Sequence, residues 1–195
     1  MNRGSNYSTA TEFSDNDNNW TSTEYNNSNF DNAALDAHWG TMMTLDYWRT
    51  VHNRNSFDNY GAKIKSYVHY RYNYVNAFWN GTAMTYGDGN GTTYFPLTSV
   101  DICSHEIAHA VCDYTADLIY SNESGAMNEG FSDIWGACVK RFAAPEKNTW
   151  LNGDEISNTG TPFRSMSNPK SKGIRIPIKE LTGLMVLMCI LTAPL

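Results

Sequence analysis

His105-Glu106-Ile107-Ala108-His109 sets two imidazoles four residues apart with a carboxylate beside the first. On a helix such residues share a face, about 6 Å from one another. Both rings can then reach one tetrahedral zinc ion while Glu106 addresses its bound water. Catalytic zinc takes three protein ligands and keeps a fourth position open. Glu129 offers the third ligand, twenty residues beyond His109 in Asn128-Glu129-Gly130-Phe131-Ser132-Asp133, on a second predicted helix that a loop folds back on the first. Asp133 is four residues further on the same face, where it can accept from the far N–H of His105 and fix its tautomer. Alone, Glu129 and Asp133 would be ordinary helix-surface acids; beside HExxH they become a ligand and a partner. Such a centre would polarise a bound carbonyl and acidify a bound water, the chemistry of metal-assisted hydrolysis.

The elements that must position these groups are legible in outline. Thr98-Ser99-Val100-Asp101 opens the first helix with a capping-box-like start and an acid near its positive end. The partner helix is predicted from near Gly125 to about Phe142, after a break at Ser121–Gly125. Upstream, Ala62, Ile64, Ser66, Val68 and Tyr70 alternate as one face of a strand. Val75–Trp79 and Thr82–Tyr86 flank Asn80-Gly81, a strong hairpin signal. Gly87–Gly91 then turns the chain before a further strand at Thr92–Phe95; no helix follows it, so it is no phosphate loop. Asp31 to about Arg54 is a packing helix with Leu35, Trp39, Met42 or Met43, Leu45 and Trp48 as its apolar stripe. His38 and His52, on or beside it, are expected to be core or surface histidines rather than ligands. Residues 1–30 form a polar arm in which Asp15, Asp17 and Asn19 alternate, an oxygen set that a hard cation such as calcium accepts.

Composition narrows the class. The 195 residues are 41% hydrophobic and carry a net charge of −6, with only 17% charged side chains, against about 25% in an average domain. The acidic balance and the lack of a Lys/Arg cluster argue against nucleic-acid binding. Cys103, Cys112, Cys138 and Cys189 make no CxxC pair and no disulfide scaffold; Cys103 and Cys112 fall half a turn out of phase on a helix. The polar amino-terminal stretch has no apolar export signal. From Gly173 the chain turns apolar, yet its longest uncharged run, Leu181–Leu195, is shorter than the roughly 20 residues a membrane helix requires.

Five blocks, NAFWNG, YGDGNGT, HEIAHAVCDYTADLIY, SNESGAMNEGFSDIWG and RSMSNP, occur in the order found in the thermolysin-like zinc metallopeptidases, and residues 31–169 resemble that family. A metzincin would need Gly and His where Cys112 and Thr115 stand, and M1-type aminopeptidases lack NExxSD. The resemblance implies an incomplete thermolysin-like domain of α+β class: a β-rich amino-terminal lobe with an antiparallel sheet and a packing helix (31–97), then the HExxH helix and its partner (98–172). It implies zinc on His105, His109 and Glu129, Glu106 as general base and Asp133 orienting His105. Tyr120 would help to hold the oxyanion. Asn76 and Ala77 would lie on the edge strand that binds substrate backbone, and Arg164 near the first primed subsite. Asp15, Asp17 and Asn19 match a calcium loop, whereas at the family's paired calcium site Asp101, Asp154 and Glu155 remain but Lys140 replaces an acid. The resemblance stops at Lys170–Gly173, and residues 173–195 read as an out-of-frame tail. The expected protein is a secreted, monomeric metalloendopeptidase acting on peptides, with zinc and calcium as cofactors and no membrane partner; the alternative is a catalytically impaired zinc-binding fragment.

Overall fold

Small residues decide how the helices of this chain stack. The computed structural model describes residues 4–14, 17, 19, 21–25, 31–168 and 171; Asp15 and the 173–195 tail lie outside them. A 3-10 turn at Tyr7–Thr9 precedes α1 (Ser22–Tyr25), α2 (Asp31–His52), β1 (Ser66–Tyr67), β2 (Ala77–Trp79), β3 (Met84–Tyr86), α3 (Val100–Asp113), α4 (Asn122–Ala143), β4 (Leu151–Asn152) and β5 (Arg164–Ser165). This is the mixed α+β class expected. The polar arm is tied to the sheet by Tyr7, whose hydroxyl lies 3.0 Å from Thr85 Oγ1 and whose ring meets Tyr67 edge-on.

The buried stripe of α2 keeps only Trp48 of the one its large residues predict. Ala33, Ala37, Gly40, Thr44, Tyr47 and Trp48 face inward, while Trp39 and Met42 are 41% and 45% exposed. Close approach is the reason: a Cβ on Gly40 would lie 2.8 Å from Cys103 Cβ on α3. One step on, the Thr44 and Ser104 hydroxyls meet at 2.8 Å, and each also contacts the carbonyl one turn back in its own helix. Against α4 the same device recurs, since a Cβ on Gly136 would fall 2.7 Å from the Asp101 carbonyl oxygen. Squeezed between α2, α4 and the β2–β3 hairpin, α3 is buried on almost every side, as a central helix must be.

The sheet has the order β1-β3-β2, and it is mixed rather than antiparallel. β2 and β3 pair antiparallel, but β1 runs parallel to β3. The strand expected over residues 62–70 shrinks to Ser66–Tyr67, and it ends ahead of His69, whose positive φ of 59° is a region an extended strand cannot contain. The hairpin loop is four residues long. Asn80 Oδ1 accepts from the amides of Thr82 and Ala83, and Asn80 N–H donates to the Ala83 carbonyl. Thr92–Phe95 forms no strand; only an isolated bridge joins Tyr94 to Ser157. Asn90 Oδ1 instead accepts from the backbone amides of Thr93 and Tyr94. One apolar core, built around Met84, Tyr86, Ile107 and Val139, joins sheet and helices.

Candidate metal centre and cleft

Two adjacent rows on α4 serve the two histidines of α3. Glu129 and Asp133 form one row, Asn128 and Ser132 the other, each pair a turn apart. From the first row, Glu129 Oε2 lies 3.3 Å from His105 Nε2, and Asp133 Oδ1 approaches His105 Nδ1 to 2.8 Å, an ion-pair contact rather than an aligned hydrogen bond. From the second, Asn128 Oδ1 is 2.6 Å and Ser132 Oγ 3.1 Å from His109 Nδ1. With both Nδ1 atoms turned to acceptors, the two Nε2 atoms face each other at 2.9 Å. Glu129 Oε1 is 3.5 Å from His109 Nε2. The donor atoms of His105, His109 and Glu129 all lie within 4.8 Å of one another.

This set fits zinc. Bonds of about 2.0–2.1 Å at tetrahedral angles separate neighbouring donors by about 3.3 Å; the two Nε2 atoms stand 2.9 Å apart, and the two Glu129 oxygens lie 3.3 and 3.5 Å from one ring each. The electrostatics agree. Burial disfavours a charged His105, yet Asp133 and Glu129 overcome it and raise its pKa to about 10. His109, buried and beside that charge, is pushed below its ordinary value. Burial alone would raise Glu129 and Asp133, but pairing with His105, and for Asp133 also with Arg164, lowers each to about 2.

Glu106 is 5% exposed. Burial, reinforced by the charge of Glu129, pushes its carboxyl up to about 7 against the pull of His105 and of a backbone amide. That amide is Trp79 N–H, which donates to Glu106 Oε2 at 3.0 Å; the Trp79 indole N–H is held by Asp113 Oδ2 at 2.7 Å. The hairpin thus grips the acid from its edge strand. Tyr120, in the loop ahead of α4, donates its hydroxyl to Glu129 Oε1, its ring 5.9 Å from that of His109. Arg164, brought in by β5, binds Asp133 through two parallel hydrogen bonds of 2.6 and 2.7 Å, the strong forked geometry of a guanidinium on a carboxylate.

These groups line a cleft of about 480 Å³ whose walls include Asn76, Ala77, Phe78, Leu97, Ile102, Asn152, Gly153 and Phe163. His105, Glu106, His109, Tyr120, Glu129, Asp133, Asn76, Ala77 and Arg164 therefore share one cavity. Asp17 and Asn19 do not; Asn19 N–H donates to Asp17 Oδ1 at 3.0 Å, far along the chain from the cleft. His38 is exposed, and His52 packs on Tyr47, Trp48 and Trp135. Sequence reasoning missed Asn128, Ser132 and the Trp79 amide. The four-residue spacing of Asn128 and Ser132, beside that of Glu129 and Asp133, was the available signal.

Residues 1–113 match the family described as thermolysin metallopeptidase, catalytic domain, and residues 116–182 match its alpha-helical domain. The chain belongs to the thermolysin metallopeptidase family. It is 47% identical over 168 residues to a bacillolysin of Brevibacillus brevis, covering 84% of this chain and 29% of the relative. With a thermolysin of Alicyclobacillus acidocaldarius it shares 47% identity over 148 residues, covering 74% and 27% respectively. Among solved structures, the precursor of protealysin, a metalloproteinase from Serratia proteamaculans, superposes with a TM-score of 0.71 at 32% identity, over 85% of this chain and 51% of that one. The chain thus spans less than a third of the length of these curated relatives. Among the described residues no helix is long and apolar enough to cross a membrane.

Proposed function

We propose that this chain carries the zinc centre of a metalloendopeptidase that hydrolyses peptide bonds within extended substrates. The observation that carries this reading is the convergence of His105, His109 and Glu129 beside the buried carboxylate of Glu106. Zinc held by the three ligands would supply a Lewis acid that polarises the scissile carbonyl and acidifies the attacking water. The remaining tasks fall to the chain itself. Glu106, buried beside the three ligands, is placed to receive a proton and release it to the departing amine. Its orientation is set by Trp79 N–H. Tyr120, at the mouth of the site, can turn its hydroxyl from Glu129 toward the carbonyl oxygen that gains charge. Asp133 holds His105 and is itself held by Arg164. β2 is an edge strand, so the backbone at Asn76 and Ala77 can pair with a substrate laid alongside as a further strand. Secretion, which the family resemblance implies, belongs to the same reading.

The test is hydrolysis of an internally quenched peptide by the full chain with stoichiometric zinc. Turnover that Glu106→Gln lowers by about 10²–10⁴-fold, with zinc content unchanged, supports the enzyme. Zinc uptake without turnover would instead make the chain a zinc-binding fragment, and failure to take up zinc would remove the proposal altogether.

A further inference from the structure

Away from the histidines, the Lys140 side chain is wholly buried near the end of α4. Its ammonium lies 2.6 Å from Asp154 Oδ1 and 3.4 Å from Asp101 Oδ2, and it donates to the Leu151 carbonyl at 3.1 Å. Gly153 N–H donates to the same Asp101 oxygen at 2.8 Å, and Ser99 Oγ to the other at 2.5 Å. Two carboxylates and a carbonyl converging on one point are the oxygen donors that hard divalent cations take. The resemblance to thermolysin-like peptidases places a paired calcium site here, on Asp101, Asp154, Glu155 and an acid at position 140.

Calcium does not fit the residues present. An ammonium fills the point on which the oxygens converge, and Glu155 is drawn away to a second ammonium, that of Lys147 at 2.6 Å. A divalent ion between Asp101 and Asp154 would meet the like charge of Lys140 in a setting too buried for salt to screen it. The node also has a structural task. Asp101 lies in the first turn of α3, one turn before His105; Lys140 is on α4, beyond Glu129 and Asp133; Leu151 to Asp154 are β4 and the two residues after it, of which Asn152 and Gly153 line the cleft. We propose that Lys140 is a tethered cation standing in for calcium at this node, fastening three walls of the zinc cleft without a divalent ion there. This does not depend on peptide turnover, because the readouts below are stability and calcium response.

The experiment compares thermal unfolding of the zinc-loaded full chain with and without millimolar calcium, for wild type, Lys140→Met, Lys140→Glu, Asp154→Asn and Lys140→Glu/Asp154→Asn. Expected are a Tm several degrees lower for Lys140→Met and for Asp154→Asn in both conditions, with the same calcium response as wild type. Lys140→Glu should gain an additional calcium-dependent rise that the further Asp154→Asn change removes. Should Lys140→Glu fail to fold without calcium, recovery of the folded chain on adding it reads out the same gain. A Lys140→Met variant as stable as wild type overturns the proposal, as does a wild-type calcium response that Asp154→Asn abolishes, or a Lys140→Glu variant that calcium does not rescue.

Discussion

Asn128 and Asp133 perform one task by different chemistry. Each faces the Nδ1 of a histidine whose Nε2 points into the cleft, but one is a neutral amide 2% exposed and the other an ionised carboxylate 4% exposed. Removing a group that orients a metal-binding histidine typically lowers metal affinity about 10–100-fold, and Asn128→Ala is expected within that range, measured by competition with a chromogenic chelator. Asp133→Ala should lose more, because it also strips Arg164 of its forked partner and leaves a half-buried guanidinium uncompensated; Arg164→Ala in the same background should recover part of the loss. Of this site, the sequence showed the residues linked by helical spacing. His105, His109, Glu129 and Asp133 were legible because four-residue steps on a helix are fixed by backbone geometry. Asn128 stands beside Glu129 in the sequence, yet its role depends on how α4 is rotated against α3. The Trp79 amide that orients Glu106 left no mark at all, since a backbone N–H belongs to every residue but proline.

Elements follow a similar division. The extent of α2 and the start of α3 were readable from periodicity, and α4 began only three residues ahead of its expected start. The break expected at Ser121–Gly125 was misplaced, since α3 ends at Asp113 and Asn122–Gly125 already belong to α4. Nor was the face that α2 buries legible. Large apolar residues mark what could be buried, whereas a close helix crossing is decided by the residues that leave room. Gly136 tests that idea. With the Asp101 carbonyl 2.7 Å from where a Cβ would sit, Gly136→Ala must push α4 off α3, and overpacking of this kind costs about 1–3 kcal/mol. Chemical denaturation measures it, and an unchanged or raised midpoint would refute the account of the crossing. The sheet failed for another reason: alternation over 62–70 matched a strand, but positive φ at His69 ends it, and nothing in a histidine demands that conformation. Lys140 adds a pH dependence at this scale. Burial lowers its pKa, but Asp101 and Asp154 outweigh burial and raise it above the ordinary 10.5. A cation whose pKa is raised on folding contributes fully below its unfolded value and loses that contribution as pH climbs through the folded one. The Tm difference between wild type and Lys140→Met should therefore stay flat up to about pH 10 and narrow above it. A difference that narrows instead as pH falls toward neutrality would contradict the pairing.

At the scale of the whole molecule, the metal centre and the core are not separate regions. α3 carries two of the three proposed ligands and contributes Val100, Cys103, Ile107, Ala110 and Val111 to the same apolar cluster that includes Ile134, Ala137 and Val139 of α4. Zinc would therefore cross-link two helices that already pack, and binding to the folded state alone stabilises by mass action, about 4.1 kcal/mol at a thousandfold excess over Kd. For a chain of this size that corresponds to a rise in Tm of about 2–4 °C per kcal/mol. Glu106→Gln should keep the rise and His109→Ala should abolish it. Where the added protection appears is more diagnostic than its size. Amide hydrogen exchange on the full chain, with and without zinc, should slow in α3 and α4 together, because Glu129 is the tie between them. Protection confined to α3 would mean that the histidines take up metal while Glu129 stays outside the coordination sphere, and the three-ligand centre would then be wrong even if zinc binds tightly.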